Sequence, residues 1–283
     1  MSADAAYQGA PGAFSEDAAQ ALLGGGLDLL PCARFVHVFD AVESGRARFG
    51  VVPIENTVAG SVQPVHDLLA DRELCIMAET VVRVAHALVG VPGSRAHEIR
   101  QVLSHPVALA QCESFFRSRP EVEPVPVYDT AGAVLQVVGE GRRHRAASAS
   151  RRAAALHGGM VLAEGLEDDP ANFTRFLLLS PEAEARASAG HGFKTSLIMT
   201  VPHQPGALCA ALRVFAARGL DLLKIESRPL RGRPFEYSFW LDVAGHAEDP
   251  PVAEALMALE EQSGGVRVLG SYRRADEGVP RGK

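Results

Sequence analysis

Long apolar runs are missing from this sequence. None approaches the roughly 20 residues that a membrane span requires, so no membrane association is expected. Lysine is scarce, with only Lys194, Lys224 and Lys283. Acidic side chains outnumber basic ones, giving a net charge of −6 and a pI near 5.9, which argues against a general nucleic-acid or membrane-surface binder. Paired cysteines are also absent. Cys32, Cys75, Cys112 and Cys209 lie far apart, with no CxxC and no histidine at metal spacing. A reduced, cytoplasmic chain fits that pattern, with each thiol acting as a small hydrophobe. The opening MSADAAYQGAPG has neither a basic region nor an apolar core, so no signal peptide is expected. No P-loop occurs, and GAPGAFS lacks both GxGxxG spacing and an acidic ribose partner, so a phosphate- or dinucleotide-binding reading finds no support.

What is present is enough chain for two domains, at 283 residues, each with its own core. The main composition shift is PEAEARASAGHG, which reads as a linker over residues 181–193. Upstream, one arrangement recurs: a short apolar strand, a polar or glycine-containing loop, then an Ala/Leu-rich amphipathic helix. It occurs in AAYQGAPGAFSEDAAQALL, RFGVVPIENTVAGSVQPVHDLLA, IRQVLSHPVALAQCESFF, EPVPVYDTAGAVLQVV and RAASASRRAAALHG. Strands alternating with helices imply an α/β fold, a largely parallel sheet with helices on both faces. Ligands in such sheets bind outside the carboxyl ends of the strands, beside helix N-termini.

The loops at those strand ends carry Gly9, Gly12, Ser15, Glu55, Asn56, Thr57, Ser61, Ser104, His105, Asp129, Thr130 and Ser148, with Gln111 about one turn into its helix. Singly, most have structural explanations. Ser15 followed by Glu16 and Asp17 reads as a helix N-cap with an acidic first turn, and Asp129 with Thr130 can cap the helix starting near Ala131. Lone histidines such as His66, His105 and His157 read as structural or surface groups. In DDPANFTRFLLLS, Asn172, Thr174 and Arg175 precede the apolar run Phe176–Leu179. They read either as a strand start with a satisfied hydroxyl and a surface ion pair, or as the lip of a cleft. Together, these hydroxyls, amides and helix N-termini suit a small carboxylate ligand.

Four motifs then come in order: Tyr7-Gln8-Gly9 with Gly12-Ala13-Phe14-Ser15-Glu16, Val52-Pro53-Ile54-Glu55-Asn56-Thr57, Ser104-His105-Pro106 with Gln111-Cys112, and Thr174-Arg175-Phe176. This order resembles the prephenate dehydratases over residues 5–180. The resemblance implies two lobes similar to periplasmic-binding-protein halves, with the active site between them and the crossings near residues 80 and 170 as hinge. The implied catalytic domain spans residues 1–180, with lobes of about 1–80 plus 165–180 and 81–164. The implied reaction converts prephenate to phenylpyruvate with loss of carbon dioxide and water, driven by aromatisation and needing no metal or other cofactor. By position, Thr174 is the essential threonine, hydrogen-bonded to the departing hydroxyl. Glu55 is either the proton-supplying carboxyl or an ion pair that positions a loop. Asn56, Ser104 and Gln111 match substrate contacts. Backbone N–H groups near Ala13, Phe14 and Ser61 suit carboxylate binding, beside Ser15 and Phe176. Arg175 either grips a substrate carboxylate or locks the hinge. Ala13 stands where the commoner bacterial pattern has threonine. Together with Tyr128-Asp129-Thr130-Ala131-Gly132, it looks more like the arogenate dehydratases, so both substrates stay open. No N-terminal helical segment points to a fused chorismate mutase. The rival from another class is a noncatalytic amino-acid sensor, which would have no need of Thr174-Arg175-Phe176.

Residues 194–273 read as strand, helix, strand, hairpin turn (RGRP), strand, helix, strand, the βαββαβ ferredoxin-like order, with 274–283 as a tail. Leu208, Ala211 and Val214 recur at helical spacing, as core residues do; Phe239 and Trp240 are expected to pack. This unit resembles an ACT regulatory domain. Gly206-Ala207-Leu208-Cys209 and Glu226-Ser227-Arg228-Pro229 match the two phenylalanine-binding motifs. The resemblance implies L-phenylalanine as a feedback effector bound between the ACT domains of a homodimer or homotetramer.

Overall fold

Apolar residues spaced by two and by three to four write the elements of the computed structural model, which describes residues 2–183, 192–230 and 232–275. The first stretch runs β1 (Ala3–Gln8), α1 (Phe14–Leu23), β2 (Leu29–Cys32), α2 (Phe35–Glu43), β3 (Ala47–Asn56), β4 (Gly60–Ser61), α3 (Gln63–Asp71) and β5 (Cys75–Arg83). Next come β6 (Ala87–Gly90), β7 (Gln101–Ser104), α4 (Pro106–Ala110), α5 (Glu113–Ser118), β8 (Glu123–Pro126), α6 (Thr130–Glu140), β9 (Arg145–Ala149), α7 (Arg151–His157), β10 (Met160–Glu164) and β11 (Phe173–Ser180). The last stretch is β12 (Phe193–Thr200), α8 (Ala207–Ala216), β13 (Leu222–Pro229), β14 (Tyr237–Ala244), α9 (Pro250–Gln262) and β15 (Gly265–Arg273).

Two compact units result. Among the described residues, one holds those up to Val65 with Thr80–Leu178, and the other holds His66–Glu79 with those from Leu179 to Ala275. The first unit is two-lobed. One sheet has the order β2-β1-β3-β11-β5, and the other β10-β6-β9-β7-β8. The chain passes from the first sheet to the second after β5 and returns between β10 and β11. The expected parallel pairing holds for part of each sheet. β6, the entry strand of the second sheet, runs antiparallel to both neighbours, while β9, β7 and β8 are mutually parallel.

Helix ends follow local chemistry. Asp129 caps α6 by accepting from the Gly132 N–H at 2.5 Å, and Gly141, with φ of 65°, ends it. The expected Ser15 cap does not form. Gly12, with φ of 90°, turns the chain one step earlier, so α1 starts at Phe14 and Ser15 lies buried in its first turn. The Glu16 carboxylate accepts the Gly12 N–H at 2.6 Å instead. A Cβ on Gly12 would lie 2.7 Å from Ala153 Cα, and Ser150 Oγ donates to the Gly12 carbonyl at 2.9 Å. Arg152 pairs with Glu16 and, at 3.1 Å, with Asp17. These contacts tie the start of α7 to the Gly12 loop across the lobes.

In the second unit, β13-β14-β12-β15 form an antiparallel sheet. Leu197, Met199, Phe215, Leu241 and Leu259 are sealed in its core, with Ala211 and Val214 buried and Leu208 and Phe239 packed against them. Each large side chain removed from water stabilises the fold by about 1.5–3 kcal/mol. Trp240 lies on the other face, edge-on to His66 at 4.6 Å. Lys194 is buried between Glu79 (2.6 Å) and Asp242 (2.9 Å). Burial alone would raise the Asp242 pKa, but Lys194, Ser196 and Trp240 bring it below the usual carboxylate value. Such a charge, once buried, depends on its partners. The expected linker falls largely on residues 184–191, the tail on 276–283, and the RGRP turn includes residue 231; these lie outside the described residues. Among the thiols, Cys32 and Cys112 are buried, and burial pushes Cys112 up to about 12. Cys209 is exposed, against the expectation of a small core hydrophobe.

Candidate active site

Strand alternation on β11 turns Thr174 and Phe176 to one face and Arg175 to the other. The face carrying Thr174 and Phe176 looks into a cavity of about 680 Å³ within the first unit. Both lobes contribute to its wall: Phe14, Asn56 and Ser61 from one, Gln111, His105 and Tyr128 from the other. The first residues of α1, α2, α3 and α6 (Phe14, Phe35, Gln63 and Thr130) also line it. Helix N-termini carry about +0.5 of a charge each, so this rim favours an anion.

The floor is a closed ring of three side-chain amides. Asn56 Nδ2 donates to Asn172 Oδ1 at 2.7 Å, Asn172 Nδ2 to Gln111 Oε1 at 2.9 Å, and Gln111 Nε2 to Asn56 Oδ1 at 3.1 Å. Asn56 is pinned further, because its Oδ1 accepts the Val58 and Ala59 N–H groups at 2.9 and 2.7 Å. With its amide orientation settled, Asn56 Nδ2 also donates to Thr174 Oγ1 at 2.9 Å. The Thr174 oxygen is thus an acceptor toward the floor, and its proton is left for a partner in the cavity. Thr57 holds the ends of β3 and β11 together: its Oγ1 donates to the Ala171 carbonyl at 2.8 Å and accepts the Phe173 N–H at 2.9 Å.

Ala13, Phe14, Ser15, Asn56, Ser61, Gln111, Thr174 and Phe176 line one cavity. Three expected site residues do not line it. Ser104 is fully buried and donates to the Ser148 carbonyl at 2.6 Å, joining neighbouring strands β7 and β9. Arg175 points away with the opposite face of β11. Glu55 precedes Asn56 by one residue on β3 and is absent from the cavity wall. The sequence assigned no site role to Asn172 on the floor or to Arg34 on the wall. Asn172 stood two residues ahead of Thr174, but nothing local tied it to Asn56 or Gln111. Arg34, just ahead of α2, belonged to no motif. It is the single Lys or Arg on the wall among the described residues. Two histidines line the cavity as well. Burial pushes His86 and His105 below the ordinary histidine value, with Glu167 and Asp129 opposing it respectively, so both are neutral near pH 7.

In the second unit the two expected effector motifs part company. Gly206, with φ of 84°, is the N-cap of α8, and Ala207 and Leu208 line a cavity of about 330 Å³ with Tyr237 and Phe239. Glu226 and Arg228 sit on the opposite sheet face. Glu226 lies 3.1 Å from Lys224 Nζ and 3.7 Å from His66 Nε2, and Arg228 pairs with Asp67 at 2.8 Å. Pro229 shares a cavity of about 420 Å³ with Arg228, and Ser227 is paired with Phe239 across the sheet.

A two-lobed α/β body of periplasmic-binding-protein type, with an anion-favouring, amide-floored cleft and a ferredoxin-like unit after it, defines a class of small-carboxylate-handling protein. Residues 5–184 match the prephenate dehydratase family model and residues 195–261 the ACT domain model. The chain belongs to the prephenate dehydratase family. It is 40% identical over 276 residues to arogenate dehydratase/prephenate dehydratase 2, chloroplastic, of Arabidopsis thaliana, covering 94% of this chain and 72% of that protein. It is 39% identical over 267 residues to the bifunctional N-acyl-homoserine lactone acylase/prephenate dehydratase of Komagataeibacter europaeus, covering 94% of each. Among solved structures, prephenate dehydratase from Arthrobacter aurescens in complex with L-Phe superposes with a TM-score of 0.88 at 34% identity, over 98% of this chain and 92% of that one. No helix among the described residues is long and apolar enough to cross a membrane.

Proposed function

We propose that the first unit's cavity converts prephenate to phenylpyruvate, with Thr174 as the hydrogen-bond donor to the departing hydroxyl. In this reaction the electron pair of the ring carbon–carboxylate bond moves into the ring, carbon dioxide leaves, and the opposite hydroxyl departs with the pair from its C–O bond. That hydroxyl must gain a proton to leave as water, so the protein's task is to hold the dianion and offer a donor where negative charge develops. One observation carries this reading: Asn56 Nδ2 donates to Thr174 Oγ1, which supports an outward-facing Thr174 proton. Asn172 and Gln111 keep Asn56 in that orientation. Phe14 and Phe176 supply apolar walls for the ring, and the N–H groups near Ala13, Phe14 and Ser61 receive a carboxylate. Glu55 and Arg175 act as structural groups, and Ser104 as a strand tie.

Residues 1–180 form the catalytic domain in this proposal, 181–193 the linker and 194–273 the regulatory domain. L-Phenylalanine is the effector, bound at Gly206, Ala207 and Leu208 of one subunit together with residues 226–229 of another. The protein assembles through its ACT domains as a homodimer or homotetramer; half-exposed Ile225, Tyr237 and Val268 on that sheet support such an assembly. A cytoplasmic location suits its four free cysteines. Arogenate, with an amino group in place of the keto group, is the second substrate reading, and Ala13 favours it. Assays for phenylpyruvate from prephenate and for phenylalanine from arogenate test both readings. Thr174→Ala is expected to lower kcat about 10²–10³-fold. A Thr174→Ala variant at full rate would end this proposal.

A further inference from the structure

The substrate of the proposed reaction carries two carboxylates, and a cleft that closes around it must offset that charge. Arg175, one candidate cation, lies on the opposite face of β11 and does not line the cavity. His86 and His105 are held neutral by burial. That leaves Arg34. Its guanidinium makes no hydrogen bond to the helix start it caps, and it takes part in no ion pair among the described residues. The first turn of α2 contains no acidic residue that would neutralise it. The N-terminal N–H groups of α2 lie directly after it, with Phe35 on the same wall. An exposed arginine at this place adds a full charge and a planar two-pronged donor to the partial positive charge of the helix.

We propose that Arg34 binds the carboxylate that the substrate keeps, the one on its three-carbon side chain, and not the one lost as carbon dioxide. The two carboxylates make opposite demands. The departing one gives up its electron pair to the ring, so an ion pair on it would stabilise the ground state against the transition state. The retained one is unchanged through the reaction, so holding it orients the ring without a cost in rate. Arg34 is exposed on the wall that Phe14 and Phe176 also line, so it can take the retained carboxylate while those two rings flank the substrate ring. This inference rests on the proposed reaction and adds the group that holds its substrate.

The test is steady-state kinetics on the full chain with prephenate, comparing wild type, Arg34→Gln and Arg34→Lys, with phenylpyruvate as a product inhibitor. Phenylpyruvate keeps only the side-chain carboxylate. The expected result is an increase in KM of about tenfold in Arg34→Gln, with the loss falling on KM and not on kcat. The inhibition constant of phenylpyruvate should rise by the same factor, and Arg34→Lys should recover part of both. An unchanged KM in Arg34→Gln overturns the inference. A raised KM with unchanged phenylpyruvate inhibition also overturns it, since Arg34 would then hold the carboxylate that leaves. A wild-type chain inactive on prephenate and arogenate alike would bring down the proposed reaction itself, a separate and recognisable failure.

Discussion

Replacing Asn56 by aspartate changes one NH₂ to an oxygen and leaves the shape of the side chain intact. In the native floor, Asn56 Nδ2 donates to Asn172 Oδ1, to the Phe173 carbonyl and to Thr174 Oγ1, at 2.7, 3.1 and 2.9 Å. A carboxylate there can only accept. Asn172 can turn its amide to donate only by giving up its bond to Gln111 Oε1, while the Val58 and Ala59 N–H groups still bind the other oxygen. The Thr174 hydroxyl would then donate inward to the new carboxylate. A hydrogen bond to a charged group is worth about 1.5–3 kcal/mol net, and it must be broken before Thr174 can donate to the departing hydroxyl. At about 1.36 kcal/mol per factor of ten, kcat should fall about 10- to 150-fold. The added negative charge should also raise KM for the dianion. The assay is phenylpyruvate formation under saturating prephenate, with thermal unfolding as the control for folding. If Asn56→Asp unfolds like wild type and keeps wild-type kcat, the direction of the Thr174 proton does not matter and the argument from the amide ring fails.

Acid should weaken the second unit through His66. Burial, the largest cause, lowers its pKa from 6.5 to about 4, with the Glu226 charge opposing. Below pH 6.5 the unfolded chain binds a proton that the native His66 refuses until about pH 4, so the His66 contribution is present above pH 6.5 and is lost as pH falls through that window. The loss reaches about 3 kcal/mol; urea unfolding from about pH 7.5 to 4.5 should show it, and a His66→Asn variant should lack that part of the slope. Gly12→Ala should be costly at two levels. Its φ of 90° disfavours a side chain, and the new Cβ would sit 2.7 Å from Ala153 Cα. A loss of about 2 kcal/mol or more, with a raised KM from a displaced Gly12 loop, is expected from thermal unfolding and kinetics; wild-type values for both would contradict the close approach.

Much was legible from local pattern. Leu208, Ala211 and Val214 at helical spacing marked α8 and its buried face, and the Phe176–Leu179 run marked the buried body of β11. Strand alternation even carried the information that Arg175 faces away once Thr174 is taken to face the cleft. The motif by itself left open whether Arg175 grips a carboxylate or locks the hinge. Ser104 could not be read correctly, because only the pairing of β7 with β9 brings it to the Ser148 carbonyl and seals it.

The order of residues by itself determined the strands, the helices, the βαββαβ unit and the four motif segments, since periodicity, capping and turn chemistry act over a few neighbours. Tertiary structure alone decided which polar groups meet. The ring that aims Thr174 joins residues 116, 61 and 55 positions apart. Arg34 becomes the single arginine of the wall, among the described residues, only when α2 is set beside the cleft. Hydrogen bonds and ion pairs act over a few ångströms of space, and which distant residues come within that reach is set by how the lobes fold back on each other.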